Sequence, residues 1–174
     1  LLIGGMSIAA GWLYTAGSRP YGYSGLGEVS VFVFFGLVAT VGSTYVHGGG
    51  VTGVAAVAAV AVGLLACALL VANNLRDREV DASVNKLTLA VRLGDRRTRI
   101  LYVCLLYGGL VCGALCVLFR PWALLVLPAG TIAVRPVRVV LAGVSGADLV
   151  GILGATSRVQ WVAGIMLGLG LALS

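Results

Sequence analysis

Charge is what this sequence has least of. Only 10% of its 174 residues are Asp, Glu, Lys or Arg, against roughly 25% in soluble domains. So few charges cannot cover a water-facing surface, which excludes an ordinary soluble domain. Aromatic residues are scarce as well, at 7%. The apolar runs do not alternate and are rich in glycine, a poor residue for strand interiors, so a porin-like barrel is excluded too. The opening "LLIGGMSIAAGWLY" carries no charged leader and no obvious cleavage site, so it does not read as a signal peptide. It reads instead as the end of a membrane helix, and the chain is expected to be a piece of a longer protein. Cys67, Cys104, Cys112 and Cys116 all lie in apolar segments. Cys112 and Cys116 share a helix face, but no disulfide framework or metal cluster is indicated, and all four read as small packing residues.

What is present in abundance is hydrocarbon and glycine. The chain is 60% hydrophobic with 26 glycines, and its mean hydropathy is +1.06. Small residues let membrane helices approach closely, because lipid offers no hydrophobic effect between helices. The fold class expected is an all-α, polytopic membrane bundle forming a single domain over 1–174. Six apolar segments, roughly 1–16, 28–46, 51–72, 100–119, 121–136 and 149–173, each approach the ~20 residues that a bilayer demands. "GLVCG" (109–113) and "GIMLG" (164–168) match the small-xxx-small pattern of close helix contact, read here as contact within one bundle.

The charges are unevenly placed. "HGGG" (47–50) and "FRP" (119–121) fall at one end of this bundle, where Arg120 is the basic residue. The other end collects Arg19, Arg76, Arg78, Lys86, Arg92, Arg96, Arg97, Arg99, Arg135 and Arg138. Basic residues gather in cytoplasmic loops, so this end is expected in the cytoplasm and the protein in the cell membrane. The same rule accounts for the net charge of +6 without nucleic acid. Arg158 stands apart, inside the last segment, where it is either functional or reaches back to the headgroups.

Most of the acids lie in "NNLRDREVDASVNKLTLAVRLGD" (73–95): Asp77, Glu79, Asp81 and Asp95. On a helix at about 100° per residue, Asn73, Asn74, Asp77 and Asp81 share one face and Glu79 points away. Asp77 and Asp81 stack at i, i+4, and two such carboxylates repel unless a cation lies between them. With the amide oxygens of Asn73 and Asn74 they form a hard-oxygen set suited to Mg2+, which prefers one or two carboxylates plus substrate phosphates. Lys86 and Arg92 follow, and a diphosphate would match these cations and the metal together. Asp95 reads as the N-cap of a helix starting at Arg96, and Arg96, Arg97 and Arg99 as positive-inside charges.

"NNLRDREVD" followed by "KLTLAVRLGD" closely resembles the second Asp-rich motif of the UbiA-type intramembrane aromatic prenyltransferases, in the form typical of the menaquinone-pathway branch. "RPYGYSGLGEVSVFVFFGLVATVGSTYV" (19–46) and "LGATSRVQ" (153–160) are similar to that branch as well. The resemblance implies nine membrane helices around a central cavity, of which this chain carries about the last six. It implies two Asp-rich motifs facing each other across Mg2+ and a polyprenyl diphosphate. The first motif, N-D-x-x-D, is not in this sequence. The implied reaction transfers the polyprenyl group to 1,4-dihydroxy-2-naphthoate, with loss of CO2 and diphosphate, at the cytoplasmic face of the lipid bilayer. Carried over, Asp77 and Asp81 would be metal ligands and catalytic, with Asn73 and Asn74 beside them. Lys86 would contact diphosphate. Arg92 would be a second cation or would fold the loop over the site. Arg19 and Tyr14 lie where relatives place basic and aromatic residues near the substrates, although Tyr14, like Tyr21 and Tyr23, would also serve as an interface anchor. Gln160, beside Arg158 in the last helix, and His47 receive no role. Asn85 stands where the family commonly has Gly.

Two rivals remain in this reading: a relative using another aromatic acceptor, and a non-catalytic membrane binding or transport protein. The CDP-alcohol phosphotransferases also stack aspartates in membranes, but the D-G-x-x-A-R that precedes their pair is missing here.

Overall fold

The computed structural model describes residues 2–16 and 20–173, and the described residues form helices and turns with no strand. In chain order the α-helices are α1 (Leu2–Thr15), α2 (Gly27–Val31), α3 (Ala39–Gly48), α4 (Gly53–Ser83), α5 (Leu89–Leu93), α6 (Asp95–Leu115), α7 (Ala129–Leu141) and α8 (Val150–Ala172). A π-helical stretch, Phe32–Val38, joins α2 to α3. Five helical runs are long and apolar enough to cross a membrane: Gly27–Gly48, Gly53–Ser83, Asp95–Leu118, Pro121–Leu141 and Gly146–Ala172. The sixth expected segment is the 14-residue α1, which at 1.5 Å per residue reaches about 21 Å, short of a ~30 Å hydrocarbon core.

Helix α4 is the axis of the bundle. Thr52 caps it, its side chain accepting from the Ala55 amide at 3.3 Å. Its 31 residues give about 46 Å of helix, so the charged C-terminal turns project past the apolar core. An Ala- and Gly-rich face, including Ala55, Ala59, Ala61 and Ala68, is buried. That face lets α6 and the π-helical stretch come close. A Cβ on Gly109 would lie 2.8 Å from the Leu65 side chain, and one on Gly36 would lie 2.6 Å from Gly63 Cα. Deeper in the core, Tyr102 and Thr156 share a 2.7 Å hydrogen bond between α6 and α8, which satisfies a phenol that is fully buried.

The two-ended arrangement read from the loops is present. The Phe119 ring lies against Gly53 at one end. Arg92 lies against Gly25, and Arg99 bonds to the end of α7, at the other. Several sequence expectations need correcting. "GIMLG" is not a contact: nothing lies within 4 Å of a Cβ on Gly164 or Gly168, whereas Gly170 meets the Trp122 backbone. Ala163, Leu167 and Gly170 turn inward instead. The segment expected to stop at Pro136 continues to Leu141. Pro136, Val137 and Val140 are all buried, and that packing outweighs the proline's missing donor. Asp95 is not an N-cap. Gly94 holds that position, with φ of 74°, and Asp95 is in the first turn, where its carboxylate receives Arg99 at 2.6 and 2.8 Å. Arg99 is no mere positive-inside charge. It is buried and donates to the carbonyls of Val140 and Val144 at 2.5 and 2.9 Å.

Candidate functional site

The helical-face reading of 73–81 holds in space. Asn74 and Asp81 are buried, Asn73 and Asp77 are half-buried, and the Glu79 side chain is 82% exposed. The repulsion expected between the stacked carboxylates is relieved by cations from the chain itself. Arg76 grips Asp77 with two bonds of 2.6 Å. Lys86 Nζ donates to Asp81 Oδ1 at 3.0 Å. Asp81 Oδ2 is buried without a hydrogen-bond partner among the described residues.

After α4 the chain turns back over this face. Asn85 adopts φ of +56°, the left-handed conformation that glycine adopts freely and asparagine tolerates. A glycine, which the family resemblance implies here, would adopt the same conformation. The turn brings the Lys86 amide onto the Asp81 carbonyl at 2.9 Å and its ammonium within 5.4 Å of the Tyr23 ring centroid. Thr88 caps the short α5, accepting from the Val91 amide at 3.5 Å. Thr98 Oγ1 donates to the carbonyls of Ala90 and Gly94. Arg92 is exposed, and its Nε donates to the Leu87 carbonyl at 3.1 Å. Its side chain rests on Gly25, whose φ is +80° and where a Cβ would approach Arg92 Nε to 2.9 Å. In this structure Arg92 fits its loop-folding role.

One open, apolar cleft adjoins the face at Asn73, and a second lies along α1. The first, about 580 Å³, is walled by Val31, Phe35, Leu69 and Leu70, with Asn73 and Gln160 as its polar groups. The other, about 590 Å³, runs along α1 and the π-helical stretch and includes Tyr14, Tyr21 and Phe34. Tyr14 meets Tyr21 edge-on, with centroids 5.4 Å apart, and Tyr21 Oη donates to the Ala10 carbonyl at 2.8 Å. Arg19 lies outside the described residues. The structure therefore brings together Asn73, Asn74, Asp77, Asp81 and Lys86, with Arg92 and Tyr23 above them.

Sequence reasoning missed Glu28. Its side chain accepts a 3.0 Å bond from Asn74 Nδ2, inside the Asp-bearing motif, and its second oxygen is buried without a partner among the described residues. The available signal was its position: an acid at the start of an apolar run is costly unless it is used.

For a divalent cation the donor chemistry fits. Asp77 and Asp81 supply two carboxylates, and the partnerless Asp81 oxygen is a donor waiting for a positive charge. Among the described residues no cluster of three or more His, Cys, Asp or Glu could hold a metal alone, so an ion here would need further oxygens from water and phosphate.

The chain is 46% identical over 162 residues to a 1,4-dihydroxy-2-naphthoate octaprenyltransferase of Mycobacterium tuberculosis, covering 93% of this chain and 56% of that protein. It is 44% identical over 174 residues to the Mycobacterium leprae protein of the same name, covering 99% of this chain and 59% of that one. It is 41% identical over 177 residues to the Escherichia coli protein of that name, covering 100% and 58%. The chain thus spans under two thirds of the length of these relatives. No solved structure gives a significant match. The model of the UbiA prenyltransferase family matches residues 1–151, and by that match the chain belongs to the UbiA prenyltransferase family.

Proposed function

We propose that the protein to which this chain belongs transfers a polyprenyl group from polyprenyl diphosphate to 1,4-dihydroxy-2-naphthoate, releasing CO2 and diphosphate and giving demethylmenaquinol, the reduced form of demethylmenaquinone. The observation that carries this reading is the single polar face of α4. It aligns two carboxylates and two amides, the first of which, Asn73, lines an apolar cleft, with Lys86 folded onto Asp81. The names of the relatives support the acceptor.

The layout answers the chemistry of the donor. A polyprenyl tail dissolves in lipid and its diphosphate does not, so the reacting bond belongs at the boundary between them. The apolar walls formed by Val31, Phe35, Leu69 and Leu70 suit the tail. Asp77, Asp81 and the amide oxygens of Asn73 and Asn74 would hold Mg2+, which when bound supplies the positive charge that makes the diphosphate a better leaving group. Lys86 and Arg76 now neutralise Asp81 and Asp77. With those carboxylates turned to a cation, the two basic groups become free to meet the diphosphate oxygens. Ionisation of the allylic C–O bond leaves a carbocation that the electron-rich ring attacks. The 84–94 turn then keeps water from that cation. Each ~1.4 kcal/mol of preference for the departing diphosphate gives tenfold in rate. The density of basic residues at this end supports a cytoplasmic site in the cell membrane.

The test uses the full-length protein in lipid, supplied with polyprenyl diphosphate and, in parallel, with 1,4-dihydroxy-2-naphthoate, 4-hydroxybenzoate or homogentisate. Prenylated naphthoquinol alone, abolished by chelation, is the expected product pattern. Asp77→Ala and Asp81→Ala should each lower turnover by at least 100-fold, a factor typical of removing a group that stabilises developing charge. Glu79→Ala, on the opposite side of α4, should retain turnover. Equal losses at all three would overturn the helical-face assignment.

A further inference from the structure

Glu28 is a buried carboxyl that the proposed chemistry does not use. It is 8% exposed and begins the Gly27–Gly48 run. Two residues of α4 one full heptad apart reach it: Asn74 Nδ2 donates to Oε1 at 3.0 Å, and Cys67 Sγ donates to its backbone carbonyl at 3.1 Å. On its other side the Tyr14 hydroxyl lies over Gly27, 3.0 Å from where a Cβ would be. Neither cleft described above is lined by Glu28, and both its oxygens are shielded, so it reaches the site only through Asn74.

An asparagine amide has a donating end and an accepting end. A carboxyl oxygen placed against the nitrogen decides which end faces which way. The bond of Asn74 uses its nitrogen, and its oxygen is neither hydrogen-bonded among the described residues nor one of the sealed atoms, so it is open to a cation about one turn from Asp77. A carboxyl with half its accepting capacity unused is an expensive way to pack a helix crossing, and an apolar residue would serve packing alone.

We propose that Glu28 is a positioning residue: it holds the Asn74 amide by its nitrogen, so that the amide oxygen is presented to the divalent cation shared with Asp77 and Asp81. The inference rests on the proposed function, specifically on cation binding at the α4 face.

The experiment measures Mn2+ binding by electron paramagnetic resonance to the full-length protein in lipid nanodiscs, with inorganic diphosphate present. Glu28→Leu should weaken Mn2+ binding by about 10-fold or more, the cost typical of losing a residue that orients a ligand. Glu28→Gln, which keeps an acceptor oxygen at the same reach, should stay within about threefold of the parent. In an Asn74→Ala background, Glu28→Leu should have no further effect, because it acts through that side chain. If Glu28→Leu does not fold, Glu28→Ser, with a small side chain unable to reach Asn74, takes its place. Unchanged binding in the Leu or Ser variant, a Gln variant as weak as Leu, or losses that add to Asn74→Ala would each overturn the proposal. Asp77→Ala and Asp81→Ala controls separate the two levels. If they bind Mn2+ like the parent, the cation reading itself has failed. If they lose it while Glu28→Leu does not, only the role of Glu28 has.

Discussion

Lys86 is tied to the site by three contacts: its ammonium to Asp81, its amide to the Asp81 carbonyl, and its charge over the Tyr23 ring. Because two of the three depend on the ammonium charge, Lys86→Arg should retain more turnover than Lys86→Gln in the full-length protein. The reverse order would remove its electrostatic role. Its neighbour Asn85 carries the backbone reversal. Asn85→Gly should be neutral or slightly stabilising, and Asn85→Ala should cost about 1 kcal/mol because alanine resists the left-handed region; thermal unfolding in detergent would read both. Asp77 and Asp81 were legible in the sequence because a helix repeats every 3.6 residues, and that period alone sorts Glu79 from its neighbours. Glu28 stood out only as an acid at the start of an apolar run, and its link to the site was not legible. Its partner Asn74 is distant in sequence, and no local pattern links an acid at one helix start to an amide near another helix end.

At the scale of the element, the apolar runs announced the helices, but the way those helices cross was hidden. The crossing of the π-helical stretch over α4 is made by Gly36 and Gly63, with the Phe32 ring 2.7 Å from where a Gly63 Cβ would stand. In a chain this rich in glycine, neither position is distinguished by sequence, and a π-helical register has no composition signal. Gly63→Val would drive a branched side chain into Phe32 and the Gly36 backbone. It should destabilise the fold by about 1–3 kcal/mol or more, lowering the thermal midpoint in detergent, while Gly164→Val, on an open face, should leave it unchanged. The end of α7 was misplaced for a related reason: a proline reads as a stop, and only the buried surface of Pro136 and Val140 shows that the helix goes on.

For the whole molecule, the sorting of charge to one end was readable from loop composition, but the clamp that Arg99 makes there was not. Its partners are Asp95 on its own helix and two carbonyls some forty residues later. Arg99→Ala leaves those carbonyls and the Asp95 carboxylate without their donor and should cost about 3 kcal/mol, in the range for breaking a buried charged network. Thermal unfolding would measure it, and a change below about 0.5 kcal/mol, typical of surface substitutions, would contradict the clamp. Orientation can be checked separately. In a variant with its four native cysteines replaced, Gly49→Cys should react with an impermeant maleimide on intact cells, and Glu79→Cys only after permeabilisation.

The connections themselves impose a further consequence. Asp95–Leu118, Pro121–Leu141 and Gly146–Ala172 are strapped together by 119–120 and 142–145, and Gly27–Gly48 is strapped to Gly53–Ser83 by 49–52. At about 3.5 Å per residue, none of these straps lets its helices part widely, whereas 84–94 is long enough to give. The bundle is therefore bound at both ends, by 49–52 and 119–120 at the Gly53 end and by 142–145 at the aspartate end, and the one long connection among its five apolar runs lies beside the aspartates.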